Sequence, residues 1–243
     1  MNDKRQHLFV VSFNDGKAGE PKDVTPGDRD AMPNSGTFSS GQDFTFSPDG
    51  KFLVFTASPE KDEAWNTNFD ICRVPITGGT KKWETLTSNK AADSGPQFSP
   101  DGKWLAYRSQ KTPMYEADRW QLTIVPCEAT GVANGEPKSV TADFDRMVDA
   151  FVWGADSETI YFDAEDHGEV KIYQVSIKEA KVSEVKGRNF NKLYGILASL
   201  SMSKDNSVWA MVNPSFSNPS EVVIYHPKTD KVRRLKTNDA LLK

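Results

Sequence analysis

An all-β fold of repeated four-stranded units is predicted by three features of this 243-residue sequence. The first is a near-copy: Phe46-Ser47-Pro48-Asp49-Gly50-Lys51-Phe52-Leu53-Val54-Phe55 returns 52 residues later as Phe98-Ser99-Pro100-Asp101-Gly102-Lys103-Trp104-Leu105-Ala106-Tyr107. The second is a weaker echo at Trp153-Gly154-Ala155-Asp156-Ser157 and Ser203-Lys204-Asp205-Asn206-Ser207, so that Asp49, Asp101, Asp156 and Asp205 step by 52, 55 and 49 residues. The third is an apolar run after each hairpin, at Asp70–Pro75, Gln121–Pro126, Ile172–Val175 and Val222–Tyr225.

Each element has a physical reason. Ser, Pro, Asp and Gly are favoured at the four successive positions of a type I turn. The aromatic before this turn and the alternating apolar run after it supply two antiparallel strands. The later apolar run is a third strand, and a polar turn leads from it to a short closing strand at Leu86-Thr87, Val140-Thr141, Val185-Lys186 and Leu235-Lys236. An isolated Val24-Thr25 near the start reads as one more closing strand.

Four strands at a period near fifty describe the blades of a β-propeller, because period-two alternation and turn residues interrupt any helix. An irregular β-sandwich is the alternative. The blades are expected at approximately 44–87, 98–141, 151–186 and 198–236, with residues 8–25 as part of another, so residues 1–243 read as a single, incomplete propeller fragment. Such a ring leaves unpaired edges. Further blades are therefore expected ahead of Met1, with a compact five-unit closure through residues 8–25 as the alternative.

Composition narrows the function classes. Hydrophobic residues make up 37% of the chain and mean hydropathy is −0.58, which suits short strands and wet loops. No apolar span approaches the roughly twenty residues of a membrane helix, and no apolar core follows Met1–His7, so no membrane partner or secretion signal is expected. The expectation is a soluble, cytoplasmic or periplasmic chain. With 30 basic against 34 acidic residues and no Lys/Arg cluster interleaved with aromatics, nucleic acid is not expected as a partner. Cys72 and Cys127 fall in different columns of the repeat, outside any CxxC or Cys/His cluster. They read as apolar filler, with no metal site.

Catalytic motifs are missing. No serine sits in a Gly-x-Ser-x-Gly elbow, there is no Walker loop, GxGxxG or HExxH, and the Gly78-Gly79 doublet reads as a β-turn. His7, His167 and His226 stand apart from one another in sequence. No catalytic residue and no cofactor are expected in this chain.

Two long connections interrupt blades between their second and third strands. They are Ser58–Phe69 and Gln110–Trp120, and both set aromatics beside carboxylates or amides. Long loops on a rigid scaffold are where binding residues concentrate. The structural alternative is that Trp65 and Trp120 pack between blades and that Asp118 and Arg119 form an ion pair ordering the turn.

The order of motifs resembles one family. SPDGK hairpins followed by Ala64-Trp65-Asn66-Thr67-Asn68-Phe69-Asp70, then Gly95-Pro96-Gln97-Phe98, then Tyr115-Glu116-Ala117-Asp118-Arg119 look like the propeller of a prolyl oligopeptidase family serine peptidase, nearest its dipeptidyl-peptidase V and acylaminoacyl-peptidase branch. Pro219-Ser220-Glu221-Val222 and Leu235-Lys236-Thr237-Asn238 resemble the last blade of that propeller. The resemblance implies a non-catalytic propeller capping an α/β-hydrolase domain that this chain lacks, admitting only unstructured oligopeptides and seating their amino end.

An exopeptidase counting from a free amine needs a carboxylate for the ammonium. Glu116 is the candidate by its place in the loop and by analogy with propeller-loop glutamates of related dipeptidyl peptidases. Tyr115 would wall the site, Asp118 and Arg119 would shape the loop, and Trp65, Asn66 and Asn68 would line the same cavity. The expected partners are an oligopeptide, the hydrolase domain of a parent protein, and further copies of the chain through open blade edges. A stand-alone TolB-like interaction propeller is the competing reading. A third, a propeller with chemistry of its own, would rest on Asp62, Glu63, Glu116 and Asp118.

Overall fold

Each repeat folds around a carboxylate. The Ser47 hydroxyl donates to Asp49 Oδ1 at 2.7 Å, and the same oxygen accepts the Lys51 N–H at 3.0 Å while Ser47 Oγ accepts the Phe52 N–H at 3.0 Å. Gly50 closes the turn at φ +70°, where glycine carries no Cβ penalty. The second copy repeats this geometry around Ser99, Asp101 and Gly102, and the fourth around Ser203, Asp205 and Asn206. In the third, Gly154 stands in the serine position, and Asp156 alone organises the turn through the Glu158 and Thr159 N–H groups.

The computed structural model describes residues 4–33, 38–39, 42–59, 66–78, 82–193, 195–214 and 219–235. The chain divides into two compact units, Met1–Lys138 and Ser139–Lys243. In the first, β1 (Phe9–Val10) pairs with β4 (Lys22–Asp23), and β2 (Phe13–Asn14) with β3 (Lys17–Ala18). Two blades follow: β5 (Phe44–Phe46), β6 (Phe52–Ala57), β7 (Asp70–Pro75) and β8 (Glu84–Thr85), then β9 (Asp93–Phe98), β10 (Trp104–Ser109), β11 (Gln121–Pro126) and β12 (Lys138–Ser139).

The second unit holds β13 (Phe151–Trp153), β14 (Thr159–Asp166), β15 (Glu169–Ser176) and β16 (Val182–Glu184), then β17 (Ala198–Met202), β18 (Trp209–Val212), β19 (Val222–His226) and β20 (Lys231–Arg234). Each four-stranded sheet is an open antiparallel meander in chain order, and this repeated blade is that of a β-propeller. Among the described residues no helix is long and apolar enough to cross a membrane.

The closing strands lie slightly upstream of the apolar pairs that announce them. β8, β16 and β20 end at Thr85, Glu184 and Arg234, and Leu86, Val185 and Leu235 each add one more ladder bond, to Ile71, Ile172 and Val222. Val24 behaves alike, donating to Leu8 O at 3.0 Å. Leu86 and Val185 pack against the cores beside their strands, whereas Leu235 is exposed.

Burial on both faces identifies the strands as blade interiors. Along β6, Leu53, Phe55 and Ala57 join Val24, Ala31, Val74 and Trp83 in one cluster, while Val54 joins Ile71, Leu105, Tyr107 and Val125 in another. Each such side chain contributes about 1.5–3 kcal/mol. The second unit has its own core, in which the Trp209 ring meets Tyr161 at 4.8 Å and Tyr225 at 5.6 Å.

Candidate functional site

The connection from β10 to β11 is tied at both ends by buried polar groups. Gln110, only 2% exposed, donates its backbone N–H to Ala92 O at 2.8 Å and its side-chain amide to Asp118 O at 2.7 Å and Glu116 O at 3.1 Å. Asp118 works from the other side: its carboxylate accepts the N–H groups of Thr112 at 2.6 Å and of Lys111 and Arg119 at 2.8 Å. Desolvation pushes the Asp118 carboxyl up, but the three N–H groups outweigh it and hold it below the usual carboxylate range.

Fixed in this way, the loop presents its middle to solvent. Met114 is 65% and Tyr115 53% exposed, Glu116 is exposed, and Met114 holds φ +61°. Trp120 is buried at the loop's end with Phe38, Phe69 and Ala92, and the Arg108 guanidinium lies 4.6 Å from its ring centroid. It packs as a structural anchor.

The other predicted loop lies alongside. Thr67 Oγ1 is 3.9 Å from Met114 Sδ, which brings residues 66–69 to the tip of the Lys111–Arg119 loop. Asn66 Oδ1 accepts the Asn68 N–H at 2.9 Å, and the buried Asn68 donates its amide to Asp70 Oδ2 at 3.4 Å. Trp65, Asp62 and Glu63 lie outside the described residues. Of the sequence candidates, the structure thus gathers Tyr115, Glu116, Asp118 and Arg119 on one loop with Asn66 and Asn68 beside it. Gln110 was not among them, although a polar residue ending an alternating apolar run was its signal.

The geometry offers one exposed carboxylate and one exposed aromatic ring on a backbone immobilised before binding, which suits recognition of a cationic, partly apolar group. Two of the three histidines are engaged elsewhere: His7 lies 2.7 Å from Asp23 Oδ2 and His167 2.7 Å from Asp166 Oδ1.

Repeated four-stranded blades with long second-to-third connections define the class: a β-propeller. No family model matches the chain. It is 28% identical over 224 residues to dipeptidyl-peptidase 5 of Porphyromonas gingivalis, covering 91% of this chain and 31% of that protein. The chain therefore spans about a third of that relative's length. Among solved structures, TolB from Agrobacterium tumefaciens superposes with a TM-score of 0.66 at 19% identity, over 93% of this chain and 73% of that one. A puromycin-hydrolysing peptidase of Mycobacterium tuberculosis gives 0.65 at 18% identity, over 96% and 38%. Along most of its length the chain is similar in sequence to dipeptidyl-peptidase 5, and its fold is that of the propellers in TolB and in the puromycin-hydrolysing peptidase.

Proposed function

We propose that this chain gates and positions oligopeptide substrates for a serine exopeptidase of the dipeptidyl or acylaminoacyl type, without supplying the nucleophile. The observation that carries this reading is the similarity to a dipeptidyl peptidase along 91% of the chain, joined to a preorganised loop that exposes Tyr115 and Glu116. Glu116 receives the substrate ammonium, Tyr115 walls the site, and Asp118 fixes the backbone between them. The partners are the oligopeptide and the α/β-hydrolase domain of a parent protein, while open blade edges favour self-association.

Calorimetric titration of the chain with a short peptide, free or acetylated at its amino end, tests the seat directly. Binding is expected for the free amine, weakened about tenfold or more by acetylation and by Glu116→Gln, the loss of a charge-assisted hydrogen bond. Equal affinity for the two peptides would remove Glu116 from this role. In an enzyme carrying the hydrolase domain, the same substitution raises KM for free-amine dipeptidyl substrates.

A TolB-like interaction module is the second reading, favoured by the 73% of the Agrobacterium TolB chain that superposes. It predicts binding of a folded partner that is indifferent to free peptide amines.

A further inference from the structure

A pair of buried acids lies where the first blade meets the second. Asp93 opens β9 and is fully buried; its Oδ1 accepts the Asn89 side-chain amide at 2.7 Å, and its Oδ2 meets no donor among the described residues. Asp70 opens β7 and is 4% exposed. Its Oδ1 accepts the Thr87 hydroxyl at 3.0 Å and its Oδ2 the Asn68 amide at 3.4 Å. Thr87 serves both acids, yet a hydroxyl carries one hydrogen and can donate to one carboxylate at a time. Asn68 Oδ1 is buried and also without a donor among the described residues.

The cluster therefore holds more acceptors than donors, in a poorly solvated seam where the Asp70 charge acts on Asp93. Both carboxylates ionised would be costly there, and one added proton converts an orphaned oxygen into a donor. We propose that Asp70 and Asp93 keep one proton between them in the folded chain, forming a buried acid pair that stabilises the blade junction and weakens when the proton leaves. The junction also carries both candidate loops, because the Asp93 N–H donates to Phe69 O at 2.7 Å and the Gln110 N–H to Ala92 O at 2.8 Å.

The surrounding groups agree. Asp93 interacts with Ser109, Thr87, Asn89 and Asp70, none of them a cation. Lys90 lends its charge to Asp70, Tyr107 from β10 has its phenol raised by burial and by Asp93, and the buried Cys72 thiol feels Asp70. Arg108 is committed to the Trp120 face and to Ser94 Oγ at 3.1 Å. Burial is the largest influence on both acids, raising Asp70 and pushing Asp93 up to about 7.

A carboxyl raised on folding binds its proton more tightly in the folded chain, so its stabilisation is complete below the unfolded value of about 4 and disappears as pH rises through about 7. Urea unfolding of the whole chain from pH 5.5 to 8.5 reads this out. The wild-type midpoint is expected to fall from pH 5.5 to about 7 and to level off above it, while Asp93→Asn, whose amide supplies an N–H where the acid holds its proton, stays level throughout. An unchanged slope in Asp93→Asn overturns the proposal. Carbon-13 titration of the wild-type aspartate carboxyls provides a second decision that needs no variant: one midpoint near 7 supports the shared proton, and every midpoint below 5 refutes it.

Discussion

The Gln110 side-chain amide holds the carbonyl oxygen of Asp118 at 2.7 Å across eight residues of chain, and Asp118 returns the tie through the N–H groups of Lys111 and Thr112. Both clamps hold backbone groups of the loop and leave the Tyr115 and Glu116 side chains exposed, so tip chemistry and loop shape are separable. Gln110→Ala leaves the Glu116 and Asp118 carbonyls without their buried donor, at a cost of roughly 1–3 kcal/mol. Hydrogen exchange at Lys111, Thr112 and Arg119 should accelerate with it; unchanged protection would show that the clamp does not hold the loop.

Gly50 and Gly102 occupy the same turn position at φ +70° and +71°, but their neighbours differ. A Cβ on Gly50 would meet nothing within 4 Å, whereas one on Gly102 would approach Pro48 Cβ to 2.8 Å. Gly50→Ala should therefore cost only the left-handed backbone term, about 1–2 kcal/mol. Gly102→Ala should cost measurably more in chemical denaturation, and Pro48→Gly, which removes the opposing Cβ, should bring the two costs together in a double-mutant cycle. Equal costs in the wild-type background would mean that the Pro48 contact relaxes freely.

Those hairpins were legible because a turn's chemistry is local: Ser, Asp and Gly at fixed offsets specify their own hydrogen bonds. The long connections were legible by their length. Their adjacency was not, since the approach of Thr67 to Met114 joins residues 47 apart through the packing of two blades. The buried acids were harder still. Aspartates at strand starts face water in most proteins, and only the junction of β7 with β9 puts Asp70 and Asp93 inside. Closing strands were read two residues late because the apolar residue that follows each, rather than the mostly polar ladder before it, carries the hydropathy signal.

The hairpin aspartates make the fold acid-sensitive. Asp205 is held down to about 2, first by the Ser203 hydroxyl and then by Ser207, and Asp49 is lowered first by Ser47. A carboxyl depressed on folding stabilises above its unfolded value of about 3.9, and that contribution is lost as pH falls through the folded value. Stability should accordingly decline from about pH 4 towards 2. Ser203→Ala should lift the Asp205 midpoint towards the ordinary range in a carboxyl NMR titration and leave Asp156 unmoved, because Gly154 already stands in the serine position there. An Asp205 midpoint unaffected by the substitution would assign its depression to the backbone alone.

Cys72 lies on the face of its blade that packs with Phe55 and Trp83, whereas Cys127 packs with Leu105 and Tyr107 on a different core. Burial pushes the Cys72 thiol up to about 12 and the Cys127 thiol up to about 11. Since the thiolate is the nucleophile, neither should react with a disulfide reagent at pH 8 while the blades stay packed, and both should react in urea, where their values return towards the ordinary 8.5. The two cores also make the reaction a probe of the chain's parts. Cys72 reports the seam closed by Val24 and Trp83, Cys127 the seam between the two blades, and mass spectrometry of partially labelled chains at moderate urea gives the order in which they open. Rapid modification of either thiol in buffer alone would mean that its seam is open in the native chain.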